Sequence, residues 1–122
     1  MKLVETKNAP AAIGPYSQGA LSTGFIFTSG QLGINPETNE FAGDNITAQT
    51  EQAICNIAAI LKALGSDLSC VVKTTCYLAN IADFEQFNKV YEQFFTGRPA
   101  RSCVQVAALP KGALVEIEAI AE

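Results

Sequence analysis

Ionisable side chains of both signs stand close together near the end of the chain. "ARSCVQVAAL", residues 100–109, carries Arg101, and "LVEIEAIAE", residues 114–122, carries Glu116 and Glu118, each inside an otherwise apolar run. Alternation along a strand puts Arg101, Cys103 and Gln105 on one face and Val104 and Val106 on the other. In the second run Val115 and Ile117 oppose Glu116 and Glu118. A strand-borne guanidinium beside mainly uncharged groups is a rigid fork for a substrate carboxylate. Glu116 is a candidate acid, base or water-orienting group, because partial burial raises a carboxyl pKa whereas a nearby arginine lowers it. Plainer readings compete. Arg101 can form an internal ion pair with Glu116 or Glu118, which spacing alone slightly favours, and Glu116 can be an ordinary exposed strand residue.

The chain contains no histidine, so Ser-His-Asp triads, Cys-His dyads and HExxH zinc sites are excluded. Cys103 shares the face of Arg101 but has no evident activator, and packing or a backbone contact to a ligand suits it better than covalent catalysis. Tyr16 follows Gly14 and Pro15, which can fix the loop so that its hydroxyl lines a pocket; a half-buried aromatic at the sheet edge is the equal alternative. In "TSGQLG", Gly30 and Gly33 permit close backbone approach, but two glycines are mostly a turn signal.

The elements that must position these residues follow from periodicity. "KLVET" reads as a first strand, "NAPAAIGPY" as a loop, and "QGALST" and "FIFTSG" as a hairpin around Gly24. Ile54, Ile57, Leu61 and Leu64 recur at helical spacing, with Asp44 or Asn45 as cap and Gly65 as stop. "CVVKTTCYLAN" is a strand, with Val71 and Tyr77 on the face opposite Val72 and Leu78. Asp83 and Gln86 stand in capping-box spacing before a second helix carrying Phe84, Phe87, Tyr91 and Phe94. "LPKGA" then has the length and composition of a hairpin loop joining the last two strands. The expectation is an α+β fold of order β-β-β-α-β-α-β-β, with both helices on one face of the sheet.

At 122 residues the chain suits one domain, 1–122, able to bury roughly two thirds of its unfolded surface. Apolar residues make up 48% and charged ones 16%, low for a globule that solvates its whole surface, so part of the apolar excess is expected to meet other subunits. Eight basic against twelve acidic side chains, net −4, run opposite to a nucleic-acid binder, and no nucleic-acid partner is expected. Cys55, Cys70, Cys76 and Cys103 form no CxxC pair and read as reduced thiols of a cytoplasmic protein. No segment has a membrane-spanning length or a leader's apolar region, so no membrane partner and no processed leader are expected.

"NAPAAIGPYSQG", "TSGQL", "VVKTTCYL" and above all "PARSCVQVAALPKGALVEIEAIA" resemble, in order and over nearly the whole chain, the blocks of the RidA (YjgF/L-PSP) family of reactive-intermediate deaminases. The resemblance implies a chorismate-mutase-like homotrimer with sites in clefts between subunits. It also implies hydrolysis of enamines and imines such as 2-aminoacrylate, 2-iminopropanoate and 2-iminobutanoate to 2-oxo acids and ammonia, with no cofactor and no metal. Carried onto this chain, Arg101 binds the carboxylate and Glu116 holds the attacking water. Tyr16, Ser29 and Gly30 shape the pocket, Cys103 contributes backbone groups, and Asn88 supports the interface or the neighbouring site. Two other functions stay open: a regulatory protein that binds small carboxylates, and an endoribonuclease or translation inhibitor. Glu116 weighs against the first and the acidic balance against the second.

Overall fold

A computed structural model describes residues 1–122. Nine strands and two helices follow one another as β1 (Lys2–Val4), β2 (Gly19–Ser22), β3 (Phe25–Thr28), β4 (Gln31–Leu32), β5 (Ile34–Asn35), β6 (Glu40–Phe41), α1 (Ile46–Ala63), β7 (Val71–Leu78), α2 (Phe84–Phe94), β8 (Ala100–Gln105) and β9 (Val115–Ala121). The main sheet runs β1-β2-β3-β9-β7-β8, with β4 also on β9, while β5 and β6 pair separately. All its pairings are antiparallel except β7 with β8, whose parallel crossover is made by α2. No helix is long and apolar enough to cross a membrane.

Each helix forms where the spacing predicts. α1 buries Ile46, Ala53, Ile54, Ile57, Ile60 and Leu61, each large aliphatic side chain worth roughly 2 kcal/mol of burial. Asn45 caps it by accepting from the Ala48 amide at 2.8 Å. Gly65, at φ +78°, ends it in a Schellman turn, its amide bonded to Lys62 O and that of Ser66 to Leu61 O. α2 buries Phe87, Val90 and Tyr91. The Asp83–Gln86 capping box does not form. Asp83 makes no side-chain cap bond, because a tight turn over Ile81–Asp83, capped by Asn80, already leads the chain into the helix.

The last two strands are not a hairpin. β7 lies between them, parallel to β8 and antiparallel to β9. The Pro110–Gly112 turn carries the chain across the end of β7, where Ala79 N bonds Leu114 O and Val106 N bonds Leu78 O. The reason is burial: β9 offers Val115, Ile117, Ala119 and Ala121 to the helix side and needs the centre of the sheet, whereas β8 offers only half-buried Arg101 and Cys103.

Two irregularities were not anticipated. A register shift between Val71 and Lys73 reverses the parity of β7, so that Val71, Thr74, Cys76 and Leu78 are buried while Tyr77 turns to the other face. "TSGQLG" is more than a turn, since Gln31–Leu32 pairs with β9. Four steps from Phe27 to Gln31 oppose three from Ile120 to Ile117, which makes a bulge at Thr28–Gly30. There the Thr28 hydroxyl accepts from the Ala119 amide at 3.0 Å in place of a backbone carbonyl.

The sheet face away from the helices carries exposed Leu3, Phe25, Phe27 and Val104 beside Thr75, Tyr77, Glu116 and Glu118. On the helix side, Gly33 packs against the backbone of Gln49, and an added Cβ would overlap Gln49 Cα, C and O. Gly33→Ala is therefore predicted to cost about 2–3 kcal/mol of stability by overpacking against immobile backbone. Urea unfolding measures this, and an unchanged midpoint refutes it.

Candidate active site

Arg101 projects from β8 onto α2. Its guanidinium carbon lies 4.8 Å from the ring centre of Tyr91, 5.5 Å from Phe84 and 5.8 Å from Phe87, an aromatic bed that favours a cation over its faces. Nη1 donates to Asn88 Oδ1 at 2.7 Å. The ion pair with Glu116 or Glu118 does not form. Arg101 sits opposite Thr74 and Glu116 opposite Tyr77, and Thr74 is buried beneath the helices while Tyr77 faces away. Within one protomer the cation and the carboxyl groups thus stand on opposite faces of the sheet.

Cys103 is half-buried two residues beyond Arg101, and Cys76 lies opposite it. Burial raises its thiol pKa and Arg101 only partly offsets this, which opposes a thiolate nucleophile.

On the other face, Glu116 is half-buried rather than freely exposed. Burial raises its carboxyl pKa, and repulsion from Glu118 adds to the shift. Glu118 accepts from the Tyr77 hydroxyl at 2.7 Å, a bond that contributes most to pushing the Tyr77 pKa up to about 12. The bulge makes room for Glu116, because a Cβ on Gly30 would stand 2.7 Å from Glu116 Cδ. A small cavity of about 140 Å³ opens there, with Glu116, Gly30 and Tyr16 among its walls alongside Ile13, Pro110 and Lys111. Ser29 is not on this wall; its hydroxyl donates to Ser17 O at 2.5 Å and ties the bulge to the preceding loop.

The seven residues singled out from sequence therefore fall into two groups, Arg101, Asn88 and Cys103 in one and Glu116, Gly30 and Tyr16 in the other, with Ser29 behind the second, bonded to Ser17 O. Sequence reasoning missed Gln18. Its buried amide accepts from Thr6 N and donates to Thr6 O, Ala9 O and Pro10 O, holding the loop that carries Tyr16. A loop glutamine gives no periodic signal. No group of three or more Cys, Asp or Glu side chains converges as a metal cluster.

Comparison with known proteins agrees with this architecture. The family described as Endoribonuclease L-PSP matches residues 6–122. A Lactococcus lactis protein named "Putative regulator AldR" is 54% identical, the match covering 100% of this chain and 98% of that one. The bovine (Bos taurus) protein named 2-iminobutanoate/2-iminopropanoate deaminase is 51% identical over 98% of this chain and 88% of its own length. The crystal structure of E. coli TdcF with bound serine superposes with a TM-score of 0.95 at 42% identity, covering 99% of this chain and 98% of that one.

The raised Glu116 pKa has a defined sign for stability. The folded state binds this proton more tightly than the unfolded state, so the contribution is neutral below the unfolded pKa and becomes a penalty as pH rises through the folded one. Glu116→Gln is predicted to be more stable than wild type at about pH 8, with the difference vanishing toward about pH 4. Urea midpoints across this range test it; a difference independent of pH contradicts the burial of the charge.

Proposed function

This chain belongs to the RidA (Endoribonuclease L-PSP) family, and on that premise we propose that it hydrolyses small 2-imino acids and their enamine tautomers to 2-oxo acids and ammonia. Its near-full-length similarity to relatives named 2-iminobutanoate/2-iminopropanoate deaminase supports this activity. The observation that carries the mechanism is a half-buried guanidinium with one side-chain acceptor and no carboxylate partner. Its remaining N–H donors suit a bidentate carboxylate. An imine is electrophilic once protonated, so positioning, a water and a proton acceptor are sufficient. Glu116 takes a proton from the water as its oxygen bonds to the imine carbon. The same carboxyl returns that proton to nitrogen, and as the carbon–nitrogen bond of the carbinolamine breaks the Glu116 carboxylate takes the remaining hydroxyl proton, which passes to the departing ammonia, leaving the 2-oxo acid and ammonium. A raised pKa suits a group that must both accept and return that proton.

The complete site belongs to a chorismate-mutase-like homotrimer, with Arg101 of one copy facing Glu116 of the next. The opposite-face placement of these residues supports a shared site, and the exposed Leu3, Phe25, Phe27 and Val104 support sheet-to-sheet packing of copies. Tyr16 and Gly30 wall the water side, Ser29 holds the bulge, Asn88 orients Arg101, and Cys103 contributes backbone groups. Four free cysteines support a reducing, cytoplasmic setting. Against a ribonuclease, Lys111 is the single cation on the Glu116 cavity.

In a coupled assay with a threonine dehydratase, the protein is predicted to accelerate 2-oxobutanoate release. Arg101→Ala should reduce that acceleration about a hundredfold or more, by loss of a charge-assisted clamp, while Cys103→Ser stays active. Mixing inactive Arg101→Ala and Glu116→Ala chains by co-refolding should restore about a quarter of wild-type activity if neighbouring copies complete each site. No recovery from the mixture would place both residues in one protomer and remove the shared site.

A further inference from the structure

Arg101 is a long side chain on an edge strand, and its grip on an anion is costly unless the guanidinium is held in advance. Tyr91 is the nearest of its three aromatic neighbours, at 4.8 Å. Stacking steadies this ring, with centroids 5.6 Å from Phe87 and 4.5 Å from Phe95. Its polar end is pinned separately, because the Tyr91 hydroxyl shares a buried hydrogen bond of 2.7 Å with Thr74 Oγ1. Thr74 is itself fully buried and is the cross-strand partner of Arg101, so the group that pins the ring stands beside the arginine's own backbone. The Cys76 thiol donates to the same Thr74 oxygen, with its sulfur 3.8 Å away.

We infer that Thr74 and Tyr91 are positioning residues for Arg101: their mutual hydrogen bond sets the ring's attitude, and the ring sets the plane in which the guanidinium presents its free edge. The inference rests on the proposed role of Arg101 as the carboxylate clamp. Asn88 fixes Nη1 from one side, and the ring defines the face on which the guanidinium lies. Together they leave the fork little freedom before a ligand arrives.

The chain has two arginines, Arg98 and Arg101, so isotopic labelling of arginine nitrogen gives two Nε–H signals in NMR spectra, told apart by Arg98→Lys. In the wild type the Arg101 signal is expected to be ring-shifted and slow to exchange, given the Tyr91 ring 4.8 Å away and the bond to Asn88. Thr74→Val and Tyr91→Phe are each expected to move it toward the free-arginine position and to weaken 2-oxobutanoate binding about three- to tenfold, with kcat within about twofold. Thr74→Ser retains both properties. Thr74→Val strands the buried Tyr91 hydroxyl and Tyr91→Phe leaves Thr74 Oγ1 only the weak Cys76 S–H donor, so each lowers the melting temperature, whereas the double Thr74→Val/Tyr91→Phe removes both hydroxyls and recovers much of that loss. If the pair positions Arg101, the double variant still binds weakly, and no more weakly than either single. A Kd that recovers together with the melting temperature, or an Arg101 signal unmoved by either single change, overturns the inference. A wild-type Arg101 signal that responds to Thr74→Val in a protein without imino-acid turnover supports the positioning pair and removes the deaminase reading instead.

Discussion

Burial of Val115, Ile117, Ala119 and Ala121 beneath the helices sets the parity of β9, and the separation of Arg101 from Glu116 depends on that parity. With a side-chain period of two, those four residues cannot go inward without sending Glu116 and Glu118 to the opposite face. Because β7 pairs with β9 on one side and β8 on the other, the same parity passes through Thr74 to Arg101, which joins the helix side. The cation and the carboxyl group are thus separated by the thickness of the sheet, not by accidental loop geometry.

Each charge then sits in surroundings that suit its chemistry. Arg101 rests on aromatic faces with a neutral amide as acceptor, so its positive charge is stabilised without being neutralised and remains available to an anion. Glu116 lies over a glycine, half-buried, with a second carboxylate along the strand, so it holds its proton more tightly than a surface glutamate. The bulge at Thr28–Gly30 matters to the second environment, since any side chain at residue 30 would meet the Glu116 carboxyl group.

Much of the molecule was legible beforehand because local periodicity and caps agree with the tertiary answer. The β2–β3 hairpin turns through Thr23 and Gly24, both at positive φ, and α1 begins at Asn45 and stops at Gly65 as their residue types demand. What escaped was controlled by non-local pairing. Nothing between Val106 and Leu114 says that the chain crosses over β7 instead of folding back on β8. The slip at Val71–Lys73 and the strand pairing of Gln31–Leu32 exist only because β9 supplies the opposing register.

For the site, the sequence by itself determined which chemical groups are present: one guanidinium and two carboxyls on the two terminal strands, no imidazole anywhere, and a glycine-bearing segment able to approach closely. It also determined the alternation within each strand, because that depends only on the extended backbone. Tertiary structure decided on which side of a common sheet each strand's polar face lies, and therefore that Arg101 meets Tyr91 and Asn88 while Glu116 meets Gly30 and the Tyr77–Glu118 pair. The physical reason is that alternation within a strand is a local property, whereas relative parity between strands is set by hydrogen-bond register and by which faces the helices bury.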